Sequence, residues 1–290
     1  MQKKKVEFIK MHGQGNDFVM IDAFTRQISF SPDEIALICD RHFGVGADGL
    51  IMVKKSQSAD FFMDYYNSDG TTAEMCGNGI RCMAGFIADK KLSTKENLKI
   101  DTRAGIKEVF ITSKKSKPRN IRVNMGKPVF EPSSIPVNIK DAVDKNIIHN
   151  YPLKTNEGLF YINCVSMGNP HCVIFLESDI DLKSIPLEKW GRIIENNPIF
   201  PKKTNVEFVI LNDKNSISMR VWERGVGETL ACGTGACAAS VCSLKFKKLQ
   251  IKKLKVYIPG GELEIYWEKD DADVLLEGKI ETVFEGFFYI

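Results

Sequence analysis

A six-residue segment occurs twice in this chain, and this repetition constrains the fold more than any other feature of the sequence. Glu74-Met-Cys-Gly-Asn-Gly79 returns as Leu230-Ala-Cys-Gly-Thr-Gly235, about half of the 290-residue chain later. A polar turn and a predicted strand that ends in aromatic residues precede each copy. Gly15-Asn16-Asp17-Phe18 and Gly168-Asn169-Pro170-His171 are separated by nearly the same distance. We interpret the pattern as an internal duplication.

Each repeated cysteine is followed by a segment with the composition of a buried helix. Gly79 to Ala88 contains one charged residue, Arg81, and Ala231 to Leu244 contains none. A helix that is apolar on all sides must be buried. Cys76 and Cys232 therefore come at the N-terminal ends of two central helices, where backbone N–H groups and the helix dipole favour anions. We expect this position to lower the pKa of each thiol, so that the two thiols can exchange protons near neutral pH.

The other six cysteines are expected to pack in the interior, because free cysteine behaves as a small hydrophobic residue. They are Cys39, Cys82, Cys164, Cys172, Cys237 and Cys242. The net charge is +3, the N-terminus does not resemble a signal peptide, and no apolar run is long enough for a membrane span. These features predict a cytoplasmic protein with reduced thiols, whose partner is a small molecule rather than nucleic acid or a membrane.

Neither a metal nor a dinucleotide cofactor is predicted. Gly44-Val-Gly-Ala-Asp-Gly49 fits the G-x-G-x-x-G pattern, but a helix-like segment precedes it and a strand-like segment follows it. That order is the reverse of a dinucleotide site. The spacings from Cys76 to Cys82 and from Cys232 to Cys237 are not those of structural zinc sites. On the residues alone, a duplicated structural helix and a thiol redox protein stay as alternatives.

Five segments that span nearly the whole chain resemble the signature segments of diaminopimelate epimerases. They are Phe8 to Asp22, Asp40 to Ile51, Tyr66 to Cys82, Val165 to Cys172 and Trp222 to Ala236. Two-cysteine amino-acid racemases of the proline racemase type match less well and stay the alternative within the same class. The resemblance implies an α+β fold of two pseudo-symmetric domains, each a curled mixed or antiparallel sheet around a central buried helix. It also implies an active site in the cleft between the domains.

The same resemblance implies where the domains begin and end. Residues 1–126 with 279–290 would form the N-terminal domain, which carries Cys76, and residues 127–278 would form the C-terminal domain, which carries Cys232. The last strand, from about Glu281 to Ile290, would then return to the first domain. A connection that is rich in proline follows Gly126 and fits a crossing between domains. A homodimer is possible, and the sequence does not decide the oligomeric state.

The activity that the resemblance implies is that of an isomerase without pyridoxal phosphate. It would interconvert LL- and meso-diaminopimelate for the biosynthesis of lysine and peptidoglycan precursors. Cys76 and Cys232 match the acid/base pair, and His171 matches a histidine beside the thiols. Substrate-binding residues are matched by Asn16, Asn67, Gly77, Asn78, Asn169, Asn205, Glu223, Arg224, Gly233 and Thr234. Many members carry a glutamine that contacts the substrate where this chain has Gly49.

Overall fold

A computed structural model describes residues 5–113, 118–139, 147–247, 249 and 251–289. The chain divides into two compact units, which we call the first unit (Met1–Asn124 with Glu277–Ile290) and the second unit (Met125–Leu276). The predicted last strand is observed as far as Tyr289, and Ile290 lies outside the described residues. Within the described ranges, no helix combines the length and apolar character needed to span a membrane.

Among the described residues, strands outnumber helices in both halves of the chain. The first half contains β1 (Lys5–Gly13), β2 (Asn16–Asp22), α1 (Pro32–Cys39), β3 (Gly49–Lys54), β4 (Phe61–Asn67), α2 (Gly77–Asp89), β5 (Asn97–Asp101), β6 (Lys107–Ile111) and β7 (Arg119–Gly126). The second half contains β8 (Tyr151–Thr155), β9 (Gly158–Ser166), β10 (Pro170–Phe175), α3 (Leu187–Glu195), β11 (Asn205–Asp213), β12 (Ser216–Glu223), β13 (Gly227–Glu228), α4 (Gly233–Phe246), β14 (Lys253–Ile258), β15 (Gly261–Tyr266) and β16 (Val274–Tyr289).

The first unit is a mixed sheet around α2. Strands β1 to β7 lie side by side in sequence order, and β16 pairs with β1 in antiparallel orientation. The pairs β1–β2 and β3–β4 are antiparallel, whereas β2–β3 and β4–β5 are parallel. The sheet curls around α2, which packs against β1, β2, β3 and β6. All residues of α2 from Asn78 to Ile87 are buried, as expected for a helix with so few charges.

The second unit repeats this arrangement around α4. The pairs β9–β10 and β11–β12 are antiparallel, whereas β10–β11 and β12–β14 are parallel. Helix α4 follows β13 and packs against β9, β10, β11, β12, β14 and β15. Each unit therefore has the same alternation of strand directions and a buried helix at the same place in that order. The predicted fold class and the predicted duplication are confirmed.

Close packing of the central helix on the sheet depends on glycine in the first unit. A Cβ atom at Gly79 would lie 2.8 Å from Ile51 Cδ1, and one at Gly85 would lie 2.5 Å from Ile280 Cδ1. The absence of both side chains lets α2 pack closely against the sheet. This packing fixes the distance between the sheet and the first turn of α2. The six cysteines that were expected to pack in the interior are all buried.

Candidate active site

Cys76 is the residue before α2, and its sulfur faces the amide of Asn16. The Sγ atom is 3.4 Å from Asn16 Oδ1, which also accepts a hydrogen bond from Asn78 Nδ2 at 3.2 Å. Asn16 begins β2, and Gly77 is the first residue of α2. The first unit thus brings four of the predicted site residues together at one helix start.

The amide of Asn16 is oriented by Asp48, a residue that sequence reasoning did not select. Asn16 Nδ2 donates to Asp48 Oδ2 at 2.8 Å, so that Oδ1 faces the sulfur as an acceptor. Arg41 contacts Asp48 at 2.8 Å and Asp17 at 2.9 Å, and the ammonium of the buried Lys10 is 2.8 Å from Asp17. Burial acts to raise the pKa of Asp17, but hydrogen bonds from Arg41 and Lys10 prevail and lower it to about 2.

Arg81 is fully buried and joins the start of α2 to the turn between β1 and β2. Its guanidinium donates to the carbonyl oxygen of Gly77 at 3.0 Å, to Asn78 Oδ1 at 2.8 Å and to Gln14 Oε1. Gln14 has a φ of 52° in that turn, two residues before Asn16. The guanidinium therefore holds the turn that carries Asn16 against the helix start, which is a structural role.

Asn67 ends β4 and lies opposite Gly49 of β3. Its Nδ2 donates to Thr71 Oγ1 at 3.0 Å. A Cβ atom at Gly49 would lie 2.5 Å from the carbonyl oxygen of Tyr66 and 2.8 Å from Tyr65 Cε2. Strand β4 thus occupies the position where a side chain at residue 49 would begin.

Cys232 is a buried residue directly before α4. Its Sγ accepts a hydrogen bond from the Gly235 N–H at 3.3 Å and lies 3.5 Å from Thr234 Oγ1. Burial raises the pKa of the Cys232 thiol well above its ordinary value, and the nearby Glu223 and Glu207 raise it further, against the two hydrogen bonds. The expected lowering is wrong for Cys232, because loss of water outweighs the stabilisation available at the helix start. The raised pKa favours the protonated form of this thiol.

Asn169 and His171 extend a line of polar contacts away from this thiol. Asn169 Nδ2 is 3.4 Å from Thr234 Oγ1, and Asn169 Oδ1 is 2.9 Å from His171 Nε2. His171 Nδ1 is 2.7 Å from Glu207 Oε1, and both side chains are fully buried. Burial raises the pKa of Glu207, whereas the charge and hydrogen bond of His171 act in the opposite direction. Sequence reasoning missed Glu207, although it is the one charged residue in the run from Val206 to Leu211.

Asn205 and Arg224 form a second pair in the same unit. Asn205 Oδ1 accepts a hydrogen bond from the backbone N–H of Arg224 at 3.0 Å, and Nδ2 donates to the carbonyl oxygen of Pro170 at 2.8 Å. Asn205 is buried, whereas the residue Arg224 is exposed. The guanidinium donates to the carbonyl oxygen of Lys202 at 3.2 Å. Asn205 therefore anchors the turn from which the guanidinium projects.

Glu223 ends β12 and accepts a hydrogen bond from the hydroxyl of Thr229. Burial raises the pKa of Glu223, and Thr229, His171 and the Cys232 thiol act to lower it. Gly233 is the first residue of α4. Among the described residues, no group of three or more His, Cys, Asp or Glu side chains is arranged to hold a metal ion. Each unit thus offers a thiol, a helix start and hydrogen-bonding side chains, which suit proton transfer on a small anionic substrate.

Solved structures with low sequence identity share this fold. A phenazine biosynthesis protein of the PhzF family from Bacillus anthracis superposes with a TM-score of 0.68 at 18% identity, over 99% of this chain and 100% of that one. A probable proline racemase from Agrobacterium radiobacter superposes with a TM-score of 0.66 at 12% identity, over 97% of this chain and 92% of that one. At these identities the likeness concerns the fold alone.

Sequence comparison is more specific. A family model described as diaminopimelate epimerase matches residues 8–131 and 163–283. The diaminopimelate epimerase of Halothermothrix orenii is 48% identical over 285 residues, which cover 97% of each protein. That of Methanococcus maripaludis is 44% identical over 282 residues, which cover 97% of this chain and 99% of the relative. The chain therefore belongs to the diaminopimelate epimerase family.

Proposed function

We propose that this protein is a cofactor-independent epimerase that interconverts LL- and meso-diaminopimelate with the thiols of Cys76 and Cys232. The observation that carries the proposal is the duplicated arrangement around the two cysteines. Each unit places one cysteine directly before a buried helix and an asparagine, Asn16 or Asn169, beside that helix start. An epimerase needs one proton carrier for each face of the α-carbon, and two such groups satisfy that requirement.

The proton moves from carbon to sulfur on one face and from sulfur to carbon on the other. In the direction in which the Cys76 thiolate removes the α-proton, the Cys232 thiol returns a proton to the opposite face, and the stereocentre inverts. The raised pKa favours the protonated form of Cys232, which is the form that a donor needs in that direction. The reverse reaction exchanges the two roles.

The remaining predicted residues hold the substrate. The backbone N–H groups at the two helix starts bind the reacting carboxylate and the charge that develops beside it. These helix starts comprise Gly77, Asn78, Gly233 and Thr234. The two amino-acid ends are held by Asn16, Asn67, Asn169, Asn205, Glu223 and Arg224. His171 supports the thiols, and the exposed guanidinium of Arg224 grips the distal carboxylate, which it fits in a bidentate manner.

The cellular role follows from the same proposal. The two catalytic domains are residues 1–126 with 279–290 and residues 127–278, as the family resemblance implies. The product enters the biosynthesis of lysine and of peptidoglycan precursors. Eight free cysteines suit a reducing compartment, and we place the protein in the cytoplasm.

The end of β16 supports a homodimer. Val283, Phe284, Phe287 and Tyr289 are each about half exposed, which is unusual for four apolar residues in one short stretch of strand. A second copy of the chain would cover them. Light scattering after gel filtration should give twice the mass of the chain, and Phe287→Lys should shift it toward one chain. A wild type that has the mass of a single chain at all concentrations would exclude the dimer.

Proton exchange in heavy water tests the activity. The purified protein is incubated with LL-diaminopimelate in D₂O, with a chelator and with hydroxylamine to trap any pyridoxal phosphate. NMR should show loss of the α-proton signal together with appearance of the meso isomer. A folded protein that produces neither change would refute the proposed function. Reversible disulfide formation without isomerisation would instead indicate a thiol redox protein.

A further inference from the structure

A buried carboxylate that has no place in the proposed reaction lies behind the start of α4. Glu207 is fully buried on β11, and its Oε1 is 2.7 Å from Nδ1 of His171 on the neighbouring strand β10. Its other oxygen, Oε2, makes no hydrogen bond with any of the described residues. A buried carboxylate is unfavourable unless its partner compensates for the lost water, so the contact with His171 requires an explanation.

His171 faces an oxygen atom at each ring nitrogen. Glu207 Oε1 lies at Nδ1, and Asn169 Oδ1 lies at Nε2 at 2.9 Å. The oxygen of an amide can only accept a hydrogen bond, so a hydrogen bond in this orientation of Asn169 requires a proton on Nε2. Glu207 permits this in either of its protonation states. As a carboxylate it accepts from Nδ1–H of a doubly protonated ring, and as a carboxylic acid it donates to the bare Nδ1 of a neutral ring.

The hydrogen bond between His171 Nε2 and Asn169 determines the direction of the next hydrogen bonds toward the sulfur of Cys232. With its oxygen turned to His171, Asn169 presents Nδ2 to Thr234 Oγ1 at 3.4 Å. The Thr234 oxygen then acts as acceptor, and its own hydrogen is available for Cys232 Sγ at 3.5 Å. A reversed amide would instead make the hydroxyl donate to Asn169, and the sulfur would lose that donor.

We propose that Glu207 is a positioning residue, which keeps a proton on His171 Nε2 and thereby orients the Asn169 amide and the Thr234 hydroxyl beside Cys232. The inference rests on the proposed function, since its catalytic consequence is the hydrogen bonding of a reacting thiol. Glu207 itself contacts neither the sulfur nor a substrate group in this arrangement.

The packing of α4 shows that Glu207 and the Cys232 thiol lie near the same residue of the helix, Gly235. A Cβ atom at Gly235 would lie 2.9 Å from Glu207 Oε1 and 3.2 Å from Cys232 Sγ. The third residue of the helix therefore has to lack a side chain, because the carboxylate and the sulfur lie on the same side of it. The same residue donates its N–H to the sulfur. The helix start is thus shaped around both groups.

NMR of the imidazole nitrogens tests the proposal without requiring turnover. The chain has four histidines, so uniform ¹⁵N labelling of histidine and comparison with His171→Asn identify the His171 signals. In the wild type, Nε2 should be protonated. Glu207→Gln should keep that proton on Nε2, because the glutamine amide can donate to Nδ1. Glu207→Met, which offers no such donor or acceptor, should release the ring from a single tautomer.

Kinetics distinguish positioning from simple stabilisation. Misorientation near the reacting atoms costs up to about 100-fold in rate, so kcat of Glu207→Met should fall by about 10- to 100-fold with little change in KM. Glu207→Gln should restore most of kcat. Glu277→Gln is the matched control, because Glu277 is a buried carboxylate of the first unit that binds Thr112 and Arg122. It should affect the melting temperature but neither kcat nor the His171 signals.

The outcomes separate this proposal from the proposed function. A wild type with an unprotonated His171 Nε2 would overturn the positioning role, whether or not the protein is an epimerase. An unchanged kcat in a folded Glu207→Met variant would also overturn it. A protonated Nε2 that depends on Glu207 in a protein without epimerase activity would support the orientation and refute the proposed function alone. If Glu207→Met does not fold, the protonation of His171 Nε2 in the wild type and in Glu207→Gln still tests the proposal.

Discussion

Gly49→Ala tests how closely β3 and β4 approach each other beside the first half of the site. The added Cβ atom would lie 2.5 Å from the carbonyl oxygen of Tyr66, which is a backbone atom and cannot move alone. It would also lie 2.8 Å from Cε2 of Tyr65, a buried ring. The two strands must therefore separate locally. Asn67, which lies directly opposite Gly49, moves with that separation.

The magnitude follows from two opposing contributions. Overpacking of a filled interior costs about 1–3 kcal/mol, and the contact with the backbone places this case near the upper end. Replacement of glycine in a strand returns about 0.5–1 kcal/mol of conformational entropy. The net loss in the free energy of unfolding should be about 2 kcal/mol, which corresponds to a melting temperature lower by roughly 4–8 °C for a unit of this size.

Thermal and urea denaturation followed by circular dichroism measure this loss, and epimerase assays measure the displacement of Asn67. Both stability and kcat/KM should fall. Gly49→Gln should be at least as damaging, because its side chain begins with the same Cβ atom. A Gly49→Ala protein that melts within about a degree of the wild type would refute the steric reasoning, since it would correspond to far less than 1 kcal/mol.

Two further predictions concern charged groups. The pKa of Asp17 falls from 3.8 to about 2 on folding, so its contribution to stability is present above about pH 4 and is lost as the pH falls toward 2. Urea denaturation should therefore show that the stability difference between wild type and Asp17→Asn falls to about half between pH 6 and pH 3 and continues to fall toward pH 2, and a constant difference would contradict this linkage. Arg224→Lys should lower kcat/KM for diaminopimelate severely despite the retained charge, because an ammonium lacks the bidentate geometry of a guanidinium. The wild type should turn over lysine very poorly, and similar efficiencies for the two compounds would refute recognition of the distal carboxylate.

The repeated motif was sufficient to predict the duplicated fold, because buried apolar helices and the alternation of strands leave a clear trace in sequence. The positions of Cys76 and Cys232 before those helices were predicted for the same reason. The pKa of Cys232 was not predicted, since it depends on desolvation and on the charges of Glu223 and Glu207, which adjacent strands place near the sulfur. The position of Cys232 at a helix start predicted a lowered pKa, which is the opposite direction.

Hydrogen bonds between side chains of distant segments also could not be predicted from the sequence. Asp48 orients Asn16 across two strands, and nothing in the order of residues specifies that hydrogen bond. Glu207 is the one charged residue in an apolar run. This pattern indicates a buried polar group but does not identify its partner. The close packing at Gly49 was not predicted either, because the approach of β4 is visible only in three dimensions.

The most direct measurement is the rate of LL- to meso-diaminopimelate conversion in Cys76→Ala and Cys232→Ala, each compared with a buried cysteine of the same helix. Cys82→Ala and Cys237→Ala serve as these controls, because both residues lie within α2 and α4 but take no part in the site. Loss of a general acid or base costs about 100- to 10,000-fold, so both site variants should lose conversion by at least about 100-fold while remaining folded, and both controls should keep most of it. Near-normal conversion by either folded site variant would contradict the two-thiol account.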